Sequence, residues 1–450
     1  MIIRNRPELT SKGNISGRKV VINVIENALE QVNSYNLVKN LVTVSQKDLR
    51  MGSLAYDLDE IENIYVIGGG KQVTYVSAAL EDVLGDRIRE GVVVEKRGWG
   101  RRTGKISVID GGHPIPDDGS VRGANEIVRI AEKADKNDLV IVCITGGCTS
   151  LTMLPPKGIS LEDARMVSSS LLRSGAPIED MNTVRKHLSQ IGGGKLAMLA
   201  HPAEIVALIA VDEVAGLAWG PTVPDTTTFS DATQILKRYN LWDKIPKSVA
   251  NYFERALASE ETPKATDFEQ KEVKVHNLIF AKNSTLCEAA QKKAVDLGMN
   301  GVIISTSIEG EAKDVAKVLA SIAQEIEKNK RPFDPPCVVV AGGETTVSIA
   351  GEPGEGGRNQ ELALASALKI SGSEKIVIAS LGTDGTDGPT DIAGGVVDGY
   401  TFEEARKSGI DPYELLAKHD SSSLFRRLGD AIYTYDTGTN LMDLIIVCVN

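Results

Sequence analysis

The chain of 450 residues carries 50 basic and 61 acidic side chains, a formal net charge of -11, with 42% hydrophobic residues. That acidic balance argues against a nucleic-acid surface while permitting a local basic pocket, and the apolar share is ample for sizeable cores. At about 150 residues per domain the length predicts two or three domains, and with a polar start at Met1-Ile2-Ile3-Arg4 and no apolar run near the roughly 20 residues of a membrane span, neither secretion nor membrane insertion is expected.

Short apolar runs alternate with helical patterns, which predicts an α/β protein with parallel strands. Ahead of residue 60 lies a helical segment whose packing partner is open. Ile64 to Ile67 reads as a strand, Lys71 to Leu84 as a helix, Gly91 to Glu95 and Ile106 to Ile109 as strands, and Val121 to Ala134 as a helix. Asp138 to Thr145 is a continuous apolar run, the pattern of a strand buried on both faces. Leu161 to Arg173 reads as a helix, Ile205 to Val211 as a strand and Ser248 to Leu257 as a helix. The polar stretch from Ser259 to Lys274, with Thr262-Pro263-Lys264, is the expected linker, so one domain is placed at 1–262 and another at 275–450. In the second, Asn277 to Ala281, Val302 to Ser305, Cys337 to Ala341, Val347 to Ile349, Lys375 to Leu381 and Leu444 to Val449 read as strands. Helices are expected at Thr285 to Leu297, Ala312 to Glu327 and Asn359 to Ile370. The cysteines at 143, 148, 287, 337 and 448 form no C-x-x-C pair and sit mostly in apolar runs, which predicts buried free thiols and fits a reducing cytoplasm.

The glycines cluster where strands end, and that is where an α/β sheet meets its ligand. Gly68-Gly69-Gly70-Lys71 follows a strand and opens a helix, so its amides suit an anion; a tight turn with a solvated lysine reads equally well. It is no Walker loop, since Tyr65 and Gln72 replace the required glycine and hydroxyl residue, and Val73 breaks the dinucleotide fingerprint. His113 and Asp117 lie in the stiff turn Gly111 to Asp117, where a plain loop ending in a helix cap is as good a reading. Gly146-Gly147-Cys148-Thr149 leaves the buried strand and could cradle a phosphate or simply turn. On a helix Arg185 and Ser189 share a face, either as a site or as a solvated surface. Asp212 ends a strand, and Glu344 follows the pair Gly342-Gly343. Arg358, between glycines and the amide of Asn359, offers a planar fork for carboxylate or phosphate. Thr383-Asp384-Gly385-Thr386-Asp387-Gly388-Pro389 puts two carboxylates in a tight turn after an apolar run, which points to anionic groups and a metal.

Taken in order, Gly70-Lys71, Gly112 to Asp117, Asn182 to Ser189, Gly220 to Asp225, Gly342 to Val347, Gly357 to Glu361, Thr383 to Pro389 and the closing Thr439-Asn440 with Asp443 resemble the signature of the glycerate 2-kinase family. The resemblance runs from about residue 60 to residue 443 and implies an N-terminal Rossmann-like α/β/α sandwich followed by a C-terminal α/β module called the MOFRL domain. It implies ATP-dependent phosphorylation of the 2-hydroxyl of D-glycerate, assisted by Mg2+ or another divalent metal, in a cleft between the domains. Carried over by position, Lys71, Asp212, Arg358 and Asp384 become the catalytic set, and His113, Arg185 and Asn359 substrate-binding residues. Gly69, Gly70, Gly146, Gly147 and Glu344 are assigned to the nucleotide, and Asp384 and Asp387 to the metal. Where the family has Ser-Gly-Gly-Gly-Ser this chain has Thr145-Gly146-Gly147-Cys148-Thr149, and where it often has Ser-Asp-Val this chain has Val211-Asp212-Glu213, which bears on acceptor preference. The expected partners are small molecules in the cytoplasm, D-glycerate and ATP, with no nucleic acid and no membrane; a homodimer is the open oligomeric option. The alternative is an NAD(P)H-dependent hydroxypyruvate reductase, a label some family members carry.

Overall fold

The computed structural model describes residues 1–101, 103–211, 218–349 and 351–450. Residues 34–211 with 218–280 form one compact unit, and residues 1–33 with 281–450 form the other.

In the first unit a small antiparallel sheet, β1 (Val42–Ser45), β2 (Asp48–Met51) and β3 (Leu54–Asp57), precedes the main one. The main sheet contains β4 (Ile64–Gly69), β5 (Ile88–Lys96), β6 (Ile106–Gly111), β7 (Leu139–Ile144), β8 (Glu204–Ala210) and β9 (Val275–Ala281), in the order β6-β5-β4-β7-β8-β9. Strands β4 to β8 run parallel. Every residue of β4 and β7 is buried, which is why both read as unbroken apolar runs. Period-two alternation divides each strand between two cores. Ile64, Val66, Ile141 and Cys143 pack with Val76 and Leu80 of the helix Val73–Leu84. Tyr65, Ile67, Val140 and Val142 pack with Ile127 and Ile130 of the helix Asp118–Lys133. The result is an α/β/α sandwich. A separate helical core, absent from the sequence reading, joins the helices Leu161–Arg173, Ile178–His187, Phe229–Arg238 and Lys247–Arg255.

The chain lays down β5 and β6 on one side of β4, then β7 and β8 on the other. The sheet therefore reverses direction of growth between β4 and β7, and the crevice beyond their carboxyl ends is the place where such sheets bind ligands.

Two boundaries differ from expectation. The stretch 259–274 is no linker: Phe268 is buried in the first unit's core, Thr262 is 1% exposed, and Ile205 N donates to Lys274 O at 2.9 Å. The strand expected to open the second domain is thus β9 of the first sheet, beside β8. Residues 1–33, expected in the first domain, belong to the second unit, where the helix Ile15–Gln31 packs on the helix Asn283–Asp296. Arg18 secures it. Its side chain is 1% exposed, and it donates from Nε to Asp398 Oδ2 at 2.6 Å and from Nη1 to Asp430 Oδ1 at 2.7 Å.

The second unit holds β10 (Asn300–Ile308), β11 (Cys337–Gly343), β12 (Ile376–Gly382), β13 (Gly394–Asp398), β14 (Ala431–Ile432) and β15 (Asp443–Val449), in the order β10-β11-β15-β12-β13-β14. β10 and β11 are parallel, but β15 runs antiparallel to both β11 and β12, so the sheet is mixed. Its core lies under the helices Ala312–Asn329 and Arg358–Ile370. Residues 347–349, expected as a strand, are not in the sheet; Ser348 N bonds the Glu311 carboxylate instead.

Candidate active site

At the end of β4 the backbone turns back on β7. Gly70 has φ of 138°, and a Cβ there would meet Thr145 Oγ1 at 2.1 Å, so only glycine fits. The amides of this turn are used inside the protein. Gly70 N donates to Val94 O at 3.0 Å and Lys71 N to Gly146 O at 2.7 Å. The buried carboxylate of Glu95, at the end of β5, accepts from Gln72 N at 2.9 Å and Thr74 N at 3.2 Å, capping the helix that starts at Val73. Burial pushes the Glu95 pKa up to about 7 against the pull of those amides. The amides of Gly70 and Lys71, expected to face an anion, thus go to backbone carbonyls, and the next ones along, Gln72 and Thr74, to the protein's own acid, which the sequence does not announce.

Beyond β7, Gly147 has φ of 80° and lies against the imidazole of His113, whose Cδ2 would be 2.5 Å from an added Cβ. Two of the expected site segments, 111–117 and 146–149, therefore meet here. Next to the two glycine turns, buried side-chain polar atoms are left unpaired among the described residues: both polar atoms of the Gln72 side-chain amide, just after 68–71 and 1% exposed, and Thr145 Oγ1, just before Gly146 and 2% exposed. A buried group without a partner is costly, and such groups collect where a ligand completes them. The helix Ile178–His187, which carries Arg185, packs against the short helix that starts at Cys148. Asp212, expected as a catalytic carboxylate, lies outside the described residues.

In the second unit β15 begins at Asp443, in register with Gly343 at the end of β11 and Gly382 at the end of β12. The loops that follow those two glycines bring Glu344 and Asp384 to the same end of the sheet. Arg358 holds the center of this group: Nε donates to Asp443 Oδ2 at 2.7 Å and Nη2 to Asp443 Oδ1 at 2.9 Å, while Nη2 lies 3.1 Å from Glu344 Oε1. Burial works against its charge, but Asp443 and Glu344 outweigh that and hold its pKa well above the ordinary value. The fork expected for a substrate is closed on Asp443, an acid 85 residues away that the sequence reading did not assign. Asn359 Nδ2 also donates to Asp443 Oδ1, at 2.8 Å, so Asn359 orients the acid.

Asp387 does not fit the metal role. It is 2% exposed, and its two oxygens accept from Asn359 N at 3.1 Å and Gln360 N at 2.9 Å, with the Asn359 and Gln360 side-chain amides adding to them. It therefore caps the helix Arg358–Ile370 from outside, stabilising the exposed N–H groups of its first turn. Burial raises its pKa to about 6 despite the Arg358 charge. Asp384 is half-buried, with Oδ1 accepting from Thr386 N and Oγ1, each at 3.1 Å, and Glu344 is exposed. These two hard-oxygen donors fit a magnesium ion that keeps most of its water and takes one or two carboxylates. Among the described residues no group of three or more His, Cys, Asp or Glu is placed to hold a metal by itself. All five cysteines are free and buried, as their apolar surroundings predicted.

Comparison with known proteins gives matches over most of the chain. Residues 20–254 match the domain of unknown function DUF4147, and residues 337–443 match the MOFRL family. The chain is 42% identical over 437 residues to a glycerate 2-kinase of Pyrococcus horikoshii, covering 96% of this chain and 97% of that one. A crystal structure of a glycerate kinase from Thermotoga maritima superposes with a TM-score of 0.80 at 35% identity, over 96% of this chain and 99% of that one. A relative from Agrobacterium vitis, 38% identical over 85% of this chain and 98% of its own, carries a provisional hydroxypyruvate reductase name.

Proposed function

The chain belongs to the glycerate 2-kinase family, and from that premise we propose that it transfers the γ-phosphoryl group of ATP to the 2-hydroxyl of D-glycerate in the cytoplasm, giving 2-phosphoglycerate and ADP. One observation supports this reading above the rest: the two glycine loops, 68–71 and 146–149, flank the point where the first sheet reverses, and the residues adjoining them, Gln72 and Thr145, carry buried polar atoms unpaired among the described residues. Phosphoryl transfer needs alignment and charge neutralisation more than covalent help. In this proposal the Lys71 ammonium neutralises oxygens of the moving phosphoryl group. His113, held against Gly147, lines the acceptor. Arg358, fixed by Asp443 and Glu344, contributes a guanidinium that stays charged at any working pH. The 2-hydroxyl oxygen forms its bond to phosphorus as the bond from phosphorus to the β–γ bridging oxygen breaks, and the hydroxyl proton passes to the carboxylate of Asp212 or Asp384. A bound magnesium ion would supply further charge neutralisation on the phosphates, with Asp384 and Glu344 as the residues to hold it. The test is incubation with ATP, magnesium and D-glycerate followed by NMR of the product. Formation of 3-phosphoglycerate alone, or no ATP consumption with any hydroxy acid, overturns the proposal.

The Agrobacterium relative's name favors a second reading, reduction of hydroxypyruvate. Against it, Val73 stands where the fingerprint needs its third glycine, and Glu95 occupies the amides of Gln72 and Thr74 that would face a pyrophosphate. Hydroxypyruvate-dependent oxidation of NADH by the purified protein would restore the reductase reading.

A further inference from the structure

Arg185, Lys186 and His187 are three consecutive basic residues at the end of one helix. Lys186 Nζ pairs with Asp225 Oδ1 at 2.7 Å, and His187 Nε2 with Glu261 Oε1 at 2.8 Å. Arg185 differs. It is 8% exposed, and its Nε and Nη2 have no hydrogen-bond partner among the described residues. A guanidinium cannot shed its charge by deprotonation, so burying one without an anion is among the most costly arrangements a fold can retain. Consistent with this, burial lowers the Arg185 pKa, and no acid among the described residues raises it.

The unpaired atoms are themselves informative. Nε and Nη2 form the edge of the guanidinium that grips both oxygens of one carboxylate. Arg358 uses that same edge on Asp443, at 2.7 and 2.9 Å. In Arg185 it is fully formed and unfilled by the described residues. The helix that carries it packs on the short helix 148–151, whose cap, Gly147, touches His113. The side chain is thus attached to the elements that end at the reversal point of the first sheet.

We propose that Arg185 recognises the carboxylate of the acceptor, so that the enzyme selects 2-hydroxy acids over neutral polyols. This rests on the kinase reading and adds to it the residue that reads the acid group. The singly charged, planar carboxylate matches one guanidinium edge, whereas the kinase reading gives the phosphate oxygens to Lys71.

The experiment compares the wild type with Arg185→Met and Arg185→Lys. Ligand-free Arg185→Met should melt no lower than the wild type, because an unpaired buried charge is replaced by an apolar chain of similar length. A lower Tm would mean that Arg185 has a partner within the protein, and the proposal fails. Titration calorimetry with D-glycerate should show binding weakened at least 10-fold in both variants, with ADP binding unchanged; loss of ADP or inorganic phosphate binding instead would make this a phosphate site and overturn the proposal. In turnover, the KM for D-glycerate should rise 10- to 100-fold with the KM for ATP unmoved. If the variants do not fold, the wild type still decides: D-lactate, which keeps the carboxylate, should raise Tm and compete with D-glycerate, whereas glycerol should not. Glycerol competing equally well refutes the proposal. Glycerate binding that depends on Arg185 without any phosphorylation would sink the kinase reading and leave this inference standing.

Discussion

At the scale of single residues the pair Arg358–Asp443 concentrates the consequences. Arg358→Lys keeps a charge but replaces two parallel hydrogen bonds to Asp443 with one at best, and lysine cannot also reach Glu344 in the same plane. We expect it to lower kcat/KM by about 100-fold, close to the loss in Arg358→Ala, because a misplaced guanidinium site is worth a few kcal/mol in a transition state. Near-wild-type kinetics for the lysine variant would remove Arg358 from the reacting center. Arg358→Ala should also cost about 3 kcal/mol of stability, the low end for breaking a buried pair, since Asn359 still donates to Asp443 and the arginine is itself partly exposed. Urea unfolding measures that. The sequence made Glu344 and Asp384 legible because each follows closely on an apolar run ending in glycine, and Arg358 because it stands between a glycine pair and an amide. It could not make Asp443 legible as the partner, because the pairing depends on β15 lying between β11 and β12, and nothing local announces a nonlocal antiparallel strand.

At the scale of elements, the helix Val73–Leu84 is capped by an acid from another strand, and this makes its stability depend on pH. The Glu95 pKa is raised from 4.5 to about 7 in the folded protein. Between those values the folded state holds the proton more tightly than the unfolded chain, so stability falls as pH rises from about 4.5 through about 7. With about 1.4 kcal/mol per pK unit, the loss is about 3 kcal/mol. Glu95→Gln, which cannot ionise, should remove this part of the slope and leave only the share of Asp387, whose raised pKa of about 6 confines it to lower pH; a variant with the wild-type slope between about pH 6 and 7 would show that another group titrates there. The turn after β7 gives a second test. Gly147→Ala forces a left-handed residue and drives a methyl into the His113 ring, which should cost on the order of 1–2 kcal/mol. Truncation of His113 in the same chain should recover part of that loss, whereas additive losses in a double-mutant cycle would mean that the two do not touch. The parallel strands of the first sheet were readable from their apolar runs, since both faces are covered. The helical core of residues 161–255 was only half readable, because its cohesion lies in side-chain packing among Phe229, Tyr252 and Phe253 and not in any periodic pattern that differs from a surface helix.

At the scale of the whole molecule, the division of the chain is set by a few buried polar contacts. Composition placed the boundary in the polar stretch 259–274, yet that stretch contributes Phe268 to a core and β9 follows it into the first sheet. The N-terminal 33 residues fell into the expected first domain because nothing near them announces that their anchor, Arg18, pairs with Asp398 and Asp430, 380 and 412 residues later. Arg18→Ala leaves the buried Asp398 without its cation and Asp430 with Lys12 alone, and should destabilise the second unit by about 3 kcal/mol. Hydrogen exchange should then accelerate across β12, β13 and the helix Ile15–Gln31 while the amides of β4 and β7 keep their protection. Equal loss of protection in both sheets would refute the division into separately stabilised units.

The central place of β15 also sets an order of events on the ribosome. The first sheet has all six of its strands once residue 281 has emerged, and can fold while synthesis continues. The second cannot: the strand that joins β11 to β12 is the last one made, ending at Val449. Until then the helix Ile15–Gln31, with its apolar side chains and the Arg18 cation, made before every strand of both sheets, waits for a surface that is not yet complete. It is a stretch of the nascent protein that a chaperone has a long opportunity to hold.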